Sequence, residues 1–139
     1  MSSRPTKLRI TRQQRVYNGR FFAGALPEIP VHWCRMGCYA QFRVPSPTYP
    51  QGRILLSATE RARCGWRGIL LHEMVHAYLW HTAKDRSIGG TILEDHGHEF
   101  AAECNRIGRA LGLPEVSDSD SWAWPWHHLD ASDLHDAHE

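Results

Sequence analysis

The feature that most constrains this chain of 139 residues is the segment 72–76, which reads HEMVH and fits the pattern H-E-x-x-H. The segment lies inside the apolar run 69–80, which is long enough to be helical. On an α-helix each residue turns about 100°, so His72, Glu73 and His76 share one arc, with the two imidazoles about 6 Å apart along the axis. Two neutral imidazoles on this arc can bind Zn²⁺ while the carboxylate reaches a metal-bound water, as in zinc-dependent peptidases. The alternative is a coincidental match within a core helix.

Length and composition favour one globular domain. Apolar residues make up 42% of the chain and charged residues 22%, which are ordinary globular values. No run approaches 18 apolar residues and residues 1–20 lack the apolar core of a secretory signal, so we expect a cytoplasmic protein and no membrane partner. The four cysteines include no C-x-x-C pair, so reduced thiols are expected and a zinc ribbon is not.

Charge is distributed unevenly along the sequence although the net charge is only +1. Residues 1–20 carry six basic residues and no acidic one, whereas residues 115–139 carry seven acidic residues and no Lys or Arg. A basic segment of this kind is compatible with contact to DNA phosphates through Arg4, Lys7, Arg9 and Arg12. A solvated helix face is the commoner explanation of such a charge run.

The first half of the chain predicts one helix followed by three short strands. A capping box formed by Thr11 and Gln14 predicts a helix from Thr11 to about Phe22. Strand character recurs over 29–35, 39–44 and 53–58, with Met36-Gly37 as a hairpin turn and several prolines in the second turn. These strands predict a small three-stranded antiparallel meander.

The second half predicts two further helices. Apolar residues surround the segment 66–84, which predicts a buried helix around the HEMVH motif. A stripe at i, i+4, i+7 and i+11 predicts a second helix, ended by Gly112 and Pro114; it consists of Phe100, Cys104, Ile107 and Leu111. The predicted class is therefore α+β, with a mobile basic arm over 1–9, a domain over 10–114 and an acidic Trp- and His-rich tail over 115–139.

A third metal ligand must come from outside the HEMVH helix, because a catalytic zinc keeps three protein ligands and one open position. The donor-rich segment 94–99 is the natural source, and we choose His96 because the neighbouring Gly97 allows the backbone to turn sharply. His98 and Glu99 remain alternatives. Asp95 can cap the following helix or hold an imidazole in the correct tautomer.

Five segments taken together resemble the SprT-like metallopeptidase family, which includes the Spartan proteases. They follow the family order over residues 10–113 and are 21–27, 31–33, 53–57, 71–79 and the H-G-x-x-F element at 96–100. The resemblance implies a zincin-like fold and Zn²⁺ held by His72, His76 and His96. It also implies proteolysis of DNA-associated proteins, including proteins crosslinked to DNA, and hence a part in the repair of such crosslinks. Such a role would associate the protein with nucleoid or nuclear DNA. Three departures from the family pattern are the lack of ribbon cysteines, a longer 77–95 loop and His98 in place of a common Pro.

The mechanism expected from these residues is hydrolysis of a peptide bond. Glu73 would take a proton from the zinc-bound water and pass it to the leaving amine. A donor to the developing oxyanion is also expected, and the candidates are His98, Tyr78 and His81. An extended substrate could pair with a sheet edge near 53–57. The expected partners are thus a protein or peptide substrate and DNA.

The same residues fit a second hypothesis, and the tail fits several roles. The second hypothesis is a catalytically idle relative that uses the same fold and metal as an adaptor or regulator bound to DNA or protein; Glu73 favours the enzyme, because a structural zinc site needs no such carboxylate. Three indoles in the tail predict docking on the domain's own surface, a lid over the cleft or an anchor for a partner; they belong to Trp122, Trp124 and Trp126.

Overall fold

The computed structural model describes residues 5–36, 40–58, 65–82, 98–112 and 115. This part of the chain forms three helices and one three-stranded sheet, which confirms the predicted α+β class. In chain order the elements are α1 (Lys7–Phe21), β1 (Val31–Cys34), β2 (Ala40–Arg43), β3 (Arg53–Ser57), α2 (Trp66–Thr82) and α3 (His98–Leu111). The segment 94–97, which holds the predicted third ligand, and the Trp-rich tail lie outside the described residues. In the part described, no helix has the length and apolarity needed to cross a membrane.

Helix α1 begins four residues before the predicted start. Thr6 is its N-cap, and the Thr6 hydroxyl oxygen accepts a hydrogen bond of 3.1 Å from the backbone N–H of Arg9. The predicted capping box at Thr11 is therefore wrong, and Lys7 and Arg9 lie in the first turn of a helix rather than in a mobile arm. The sequence does not distinguish the two helix starts, because Thr6 and Thr11 are equally suitable caps.

The buried amide of Gln14 fixes α1 to the segment that leads into β1. Its Oε1 accepts a 2.7 Å bond from the N–H of Ile29, and its Nε2 donates a 2.9 Å bond to the carbonyl of the same residue. One turn further on, Asn18 bonds the N–H and the carbonyl of Leu26 in the same way, at 3.0 and 2.8 Å. These four bonds satisfy backbone groups that have no ladder partner, and they direct the chain from the end of α1 into β1.

The sheet has the strand order β1-β3-β2, with β1 parallel and β2 antiparallel to β3. The predicted antiparallel meander is wrong in this respect, and so is the predicted hairpin at Met36-Gly37, because β3 lies between the two strands that this turn would pair. The physical reason is burial. Strand β3 carries the run Ile54-Leu55-Leu56, all three at most 6% exposed, so it takes the position with a neighbour on each side.

The two faces of the sheet differ in character. Phe42 pairs with Ile54 in the core, whereas the next pair, Arg43 and Arg53, projects from the opposite face, as the alternation of strand side chains requires. Gly52 precedes β3 with φ of +84°, and a Cβ there would lie 2.6 Å from the carbonyl oxygen of Arg43. The turn into β3 therefore requires a residue without a side chain.

Helices α2 and α3 complete the core. Every residue of α2 over 66–77 except Arg67 is buried. The helix contacts α1, β2, β3 and α3. Helix α3 contributes the predicted stripe, in which Phe100, Cys104 and Ile107 are 1%, 7% and 0% exposed. Each fully buried side chain of this size contributes about 1.5–3 kcal/mol through removal from water. This packing holds the HEMVH segment between the sheet and α3.

Candidate metal centre

The three polar side chains of the HEMVH segment lie in the interior of the protein. His72, Glu73 and His76 are 4%, 5% and 5% exposed, although most of their neighbours on this helix are apolar. Burial of two imidazoles and a carboxylate costs several kcal/mol unless they are paired or bind a metal. The burial of these three side chains therefore indicates that they have a function beyond their place in the fold.

The geometry of the two imidazoles fits one tetrahedral metal ion. The Nε2 atoms of His72 and His76 are 3.2 Å apart. Two nitrogens at 2.0–2.1 Å from a tetrahedral zinc would be separated by about 3.3 Å, so the observed spacing is that of two zinc ligands. The spacing follows from the i, i+4 relationship on α2, which places both rings on one side of the helix.

Glu73 stands beside this pair. Its Oε2 lies 4.0 Å from Nε2 of His72, and the three donor atoms of His72, Glu73 and His76 lie within 4.8 Å of one another. This cluster can hold a metal ion. A carboxylate at this distance is well placed to reach a water bound beside the two nitrogens.

Phe100 of α3 packs against both imidazoles. Its ring stacks on His76 with centroids 4.4 Å apart and planes 29° apart, and it meets the ring of His72 at 4.7 Å and 57°. Phe100 is 1% exposed. Sequence reasoning placed this residue in the core stripe but missed its contact with the site. The signal that could have found it is the H-G-x-x-F spacing, which puts Phe100 one turn after the predicted ligand.

The remaining predicted site residues are distributed differently. His96 and Asp95 lie outside the described residues, so the third ligand stays a prediction. The backbone of His98 begins α3, and Glu99 in its first turn is exposed to solvent. The alternatives at His98 and Glu99 therefore also stay predictions.

Two of the three oxyanion candidates lie away from the imidazoles. Tyr78 packs on Phe22 with ring centroids 5.0 Å apart, and Nε2 of His81 lies 3.3 Å from the carbonyl oxygen of Gln51. Both residues are displaced around the α2 axis by between about 120° and 180° from the two imidazoles. Tyr78 and His81 are therefore unsuitable as donors to a substrate at the metal.

The predicted site of substrate pairing also changes. Strand β3 is paired on both sides, with β1 over 31–34 and with β2 over 40–43, so its backbone has no edge to offer. The expectation that a substrate pairs along 53–57 is therefore wrong, because the strand chosen for its apolar sequence is the central one. In the described part of the sheet, the edges belong to β1 and β2.

Comparison with known proteins is in agreement with the motif. The model of the SprT-like family matches residues 10–120. The bovine (Bos taurus) DNA-dependent metalloprotease SPRTN is 34% identical over 103 residues, which cover 70% of this chain and 20% of the bovine protein. The DNA-dependent metalloprotease dvc-1 of Caenorhabditis elegans is 37% identical over 105 residues, covering 69% of this chain and 27% of the nematode protein. The chain thus matches between about a fifth and about a quarter of the length of these relatives.

Proposed function

Because this chain belongs to the SprT-like family, we propose that it is a zinc-dependent endopeptidase that acts on DNA-associated proteins. The observation that carries the proposal is the 3.2 Å separation of the two Nε2 atoms of His72 and His76, with the Glu73 carboxylate 4.0 Å from the first of them. A purely structural metal site would have no use for a buried carboxylate beside two ligands.

The proposed metal ligands are His72, His76 and His96. The donor set of three imidazoles is one that suits zinc, and it leaves a fourth position for water and substrate. When bound, zinc lowers the pKa of its water to about 7 and polarises the peptide carbonyl. The family membership supports His96, which stands in the H-G-x-x-F element.

Glu73 serves as the general base in this proposal. Its carboxylate accepts a proton from the attacking water and then donates that proton to the amine that leaves. The surroundings support this role, because Glu73 is 5% exposed and its carboxylate is held beside the imidazole of His72. Phe100 covers one side of the two imidazoles and keeps their ring planes in place.

The substrate class rests on the relatives. Their names describe DNA-dependent metalloproteases, and we extend this dependence to the present chain. The basic N-terminal segment supports the extension, since residues 1–20 contain six Lys or Arg residues and no acidic residue. Proteins held on DNA, including those crosslinked to it, are the proposed substrates.

The direct test is a cleavage assay with the zinc-loaded full chain. A loosely folded basic protein such as a histone is incubated with the enzyme in the presence and absence of single-stranded DNA. We expect cleavage that DNA stimulates, and we expect Glu73→Gln to reduce the rate by at least about 10²-fold, the lower range for loss of a general base. Zinc content measured in both proteins controls for loss of the metal.

The same assay separates the enzyme from the catalytically idle adaptor. If the wild-type protein contains one zinc per chain, binds DNA and cleaves no substrate, the adaptor hypothesis replaces the peptidase. If Glu73→Gln retains both zinc and full activity, the assignment of the general base is wrong.

A further inference from the structure

A group of cationic and aromatic residues lies on the sheet face opposite Ile54 and Phe42 and at its border with α1, and it plays no part in the proposed metal chemistry. The group comprises one lysine from the first turn of α1, one histidine from β1, the last residue of β2, the first residue of β3 and a tyrosine from the loop between these two strands. We call it the Arg53 surface, and its members are Lys7, His32, Arg43, Tyr49 and Arg53.

Arg43 and Arg53 stand directly opposite each other in the β2–β3 ladder. Like charges in this relationship are destabilising, and an anion bound between the two guanidinium groups would offset their repulsion. Arg43 is exposed, and its Nε donates a 3.0 Å bond to the neutral Gln41 amide. Among the described residues, no carboxylate forms an ion pair with either arginine, whereas Arg15 and Arg106 are each paired with a glutamate.

Aromatic contacts hold Arg53 in position. The guanidinium carbon of Arg53 lies 4.6 Å from the centroid of the Tyr49 ring, and Tyr49 in turn meets the His32 ring at 5.7 Å in an edge-on arrangement. A guanidinium stacked in this way keeps the N–H groups around its edge available for a planar anion such as phosphate. The stack therefore reduces the conformational entropy that Arg53 would lose on binding an anion.

Lys7 and His32 extend this positive surface towards α1. Both residues line a cleft of about 220 Å³ between the start of α1 and the segment 28–32, and the one carboxylate that lines it among the described residues, Glu28, is paired with Arg15. The pKa of His32 is lowered, first by burial and then by the positive charges of Lys7 and Arg53. Nε2 of His32 is buried and has no hydrogen-bond partner within the described ranges. The two cations thus act on the same imidazole, and an anion placed between them would relieve their repulsion.

We propose that the Arg53 surface binds the phosphodiester backbone of single-stranded nucleic acid. Neighbouring strands of a sheet lie about 4.8 Å apart, so the two long arginine side chains can reach successive phosphates of one strand. Contacts of this type fix the position of a nucleic acid without reading its sequence. The inference shares with the proposed function only the premise that DNA is a partner, and it places the main contact on Arg43 and Arg53 of the sheet rather than on the basic N-terminal segment.

Equilibrium binding of a fluorescein-labelled single-stranded DNA 20-mer tests this inference. The zinc-loaded Glu73→Gln full chain is used so that binding is measured apart from cleavage, and anisotropy is followed over a range of salt concentrations. In this background we expect Arg43→Gln and Arg53→Gln each to weaken binding about fivefold or more and to reduce the slope of log K against log salt by nearly one. Arg53→Lys, which keeps the charge and loses the planar stack, should fall in between.

Arg106→Gln is the matched control. It removes one positive charge from an exposed position on α3, but its guanidinium is bound to Glu103 at 2.7 Å and lies outside the Arg53 surface. We expect this control to change DNA affinity less than twofold. Thermal unfolding of each variant confirms that the fold is retained.

A second readout comes from His32 itself. Bound phosphates would offset the field of Lys7 and Arg53, so a saturating DNA oligonucleotide should raise the pKa of His32 measured by NMR. The inference is overturned if the double variant Arg43→Gln/Arg53→Gln binds DNA as tightly as its parent. It is also overturned if polyglutamate displaces the oligonucleotide at equal charge concentration, which would identify an acidic protein segment as the ligand. A wild-type protein that binds DNA through these residues and cleaves no substrate would count against the peptidase alone.

Discussion

The ring of Phe100 stacks on the imidazole of His76, with centroids 4.4 Å apart, and in the same position it touches His72. One residue of α3 therefore orients both proposed ligands on α2. Phe100→Leu should lower zinc affinity about 10- to 100-fold, the range for residues that orient metal ligands, because both rings gain rotational freedom. Competition with a chromophoric zinc chelator measures this change.

Ile107→Val provides the control for that substitution. Ile107 is fully buried on the same helix, and its shortening costs about 0.5–1.5 kcal/mol without touching an imidazole. The spectrum of the Co²⁺-substituted protein should change in Phe100→Leu and not in Ile107→Val. Equal loss of zinc affinity in the two variants would show that Phe100 acts through general stability alone.

The paired hydrogen bonds between Gln14 and Ile29 predict a large effect of a conservative change on stability. Gln14→Leu removes the amide that bonds the backbone N–H and the backbone carbonyl of Ile29. Each of these two buried backbone groups costs about 1–3 kcal/mol when it is left unpaired. We expect a loss of about 2–4 kcal/mol in the free energy of unfolding. Urea denaturation of the zinc-loaded protein measures it.

Asn18→Leu is the corresponding change one turn further along α1. It removes the same pair of bonds, to Leu26, but at a site that is only partly buried, so water can replace the lost partners. Its cost should be smaller than that of Gln14→Leu. If Asn18→Leu costs more stability than Gln14→Leu, burial does not determine how much these amides contribute to the free energy of unfolding.

The thiol of Cys104 should be inert at neutral pH. Burial, followed by the nearby charge of Glu103, raises the pKa of Cys104 from 9.0 to about 12. At pH 8 about one thiol in 10⁴ is then ionised in the folded protein, against about one in ten after unfolding. Alkylation by iodoacetamide, mapped by mass spectrometry, should be roughly a thousandfold slower at Cys104 in the native protein than in urea.

The same pKa gives a pH dependence of stability with a definite sign. The unfolded thiol ionises from about pH 9, whereas the folded thiol stays protonated until about pH 12. The contribution of Cys104 to stability is therefore complete below pH 9 and decreases as the pH rises through this window. Cys104→Ala should lose less stability than the wild type between these pH values. Rapid alkylation in the native state would contradict both expectations.

Both α2 and α3 could be predicted because their patterns are long. A stripe such as Phe100, Cys104, Ile107 and Leu111 specifies one helix face over three turns, and its end at Gly112 agrees with the φ of +73° there. The sheet could not be predicted in the same way. Alternation predicts that Phe42 and Ile54 face the core. It does not predict strand order, which depends on which strand has a neighbour on each side in the folded protein.

The candidate site shows a similar division. The i, i+4 spacing of His72 and His76 is sufficient to predict that their rings meet, since any α-helix brings them together. Roles that depend on other elements were not accessible. Tyr78 and His81 were plausible donors by proximity in sequence, yet their positions around α2 turn them away from the two imidazoles.

The central claim is that His72 and His76 bind one zinc ion together with a third imidazole, and X-ray absorption at the zinc K-edge tests it most directly. We predict nitrogen or oxygen donors at about 2.0–2.1 Å with the multiple scattering of three imidazoles, and loss of this signal in His72→Ala/His76→Ala. A sulfur shell at about 2.3 Å, or an unchanged spectrum in the double variant, would contradict the account.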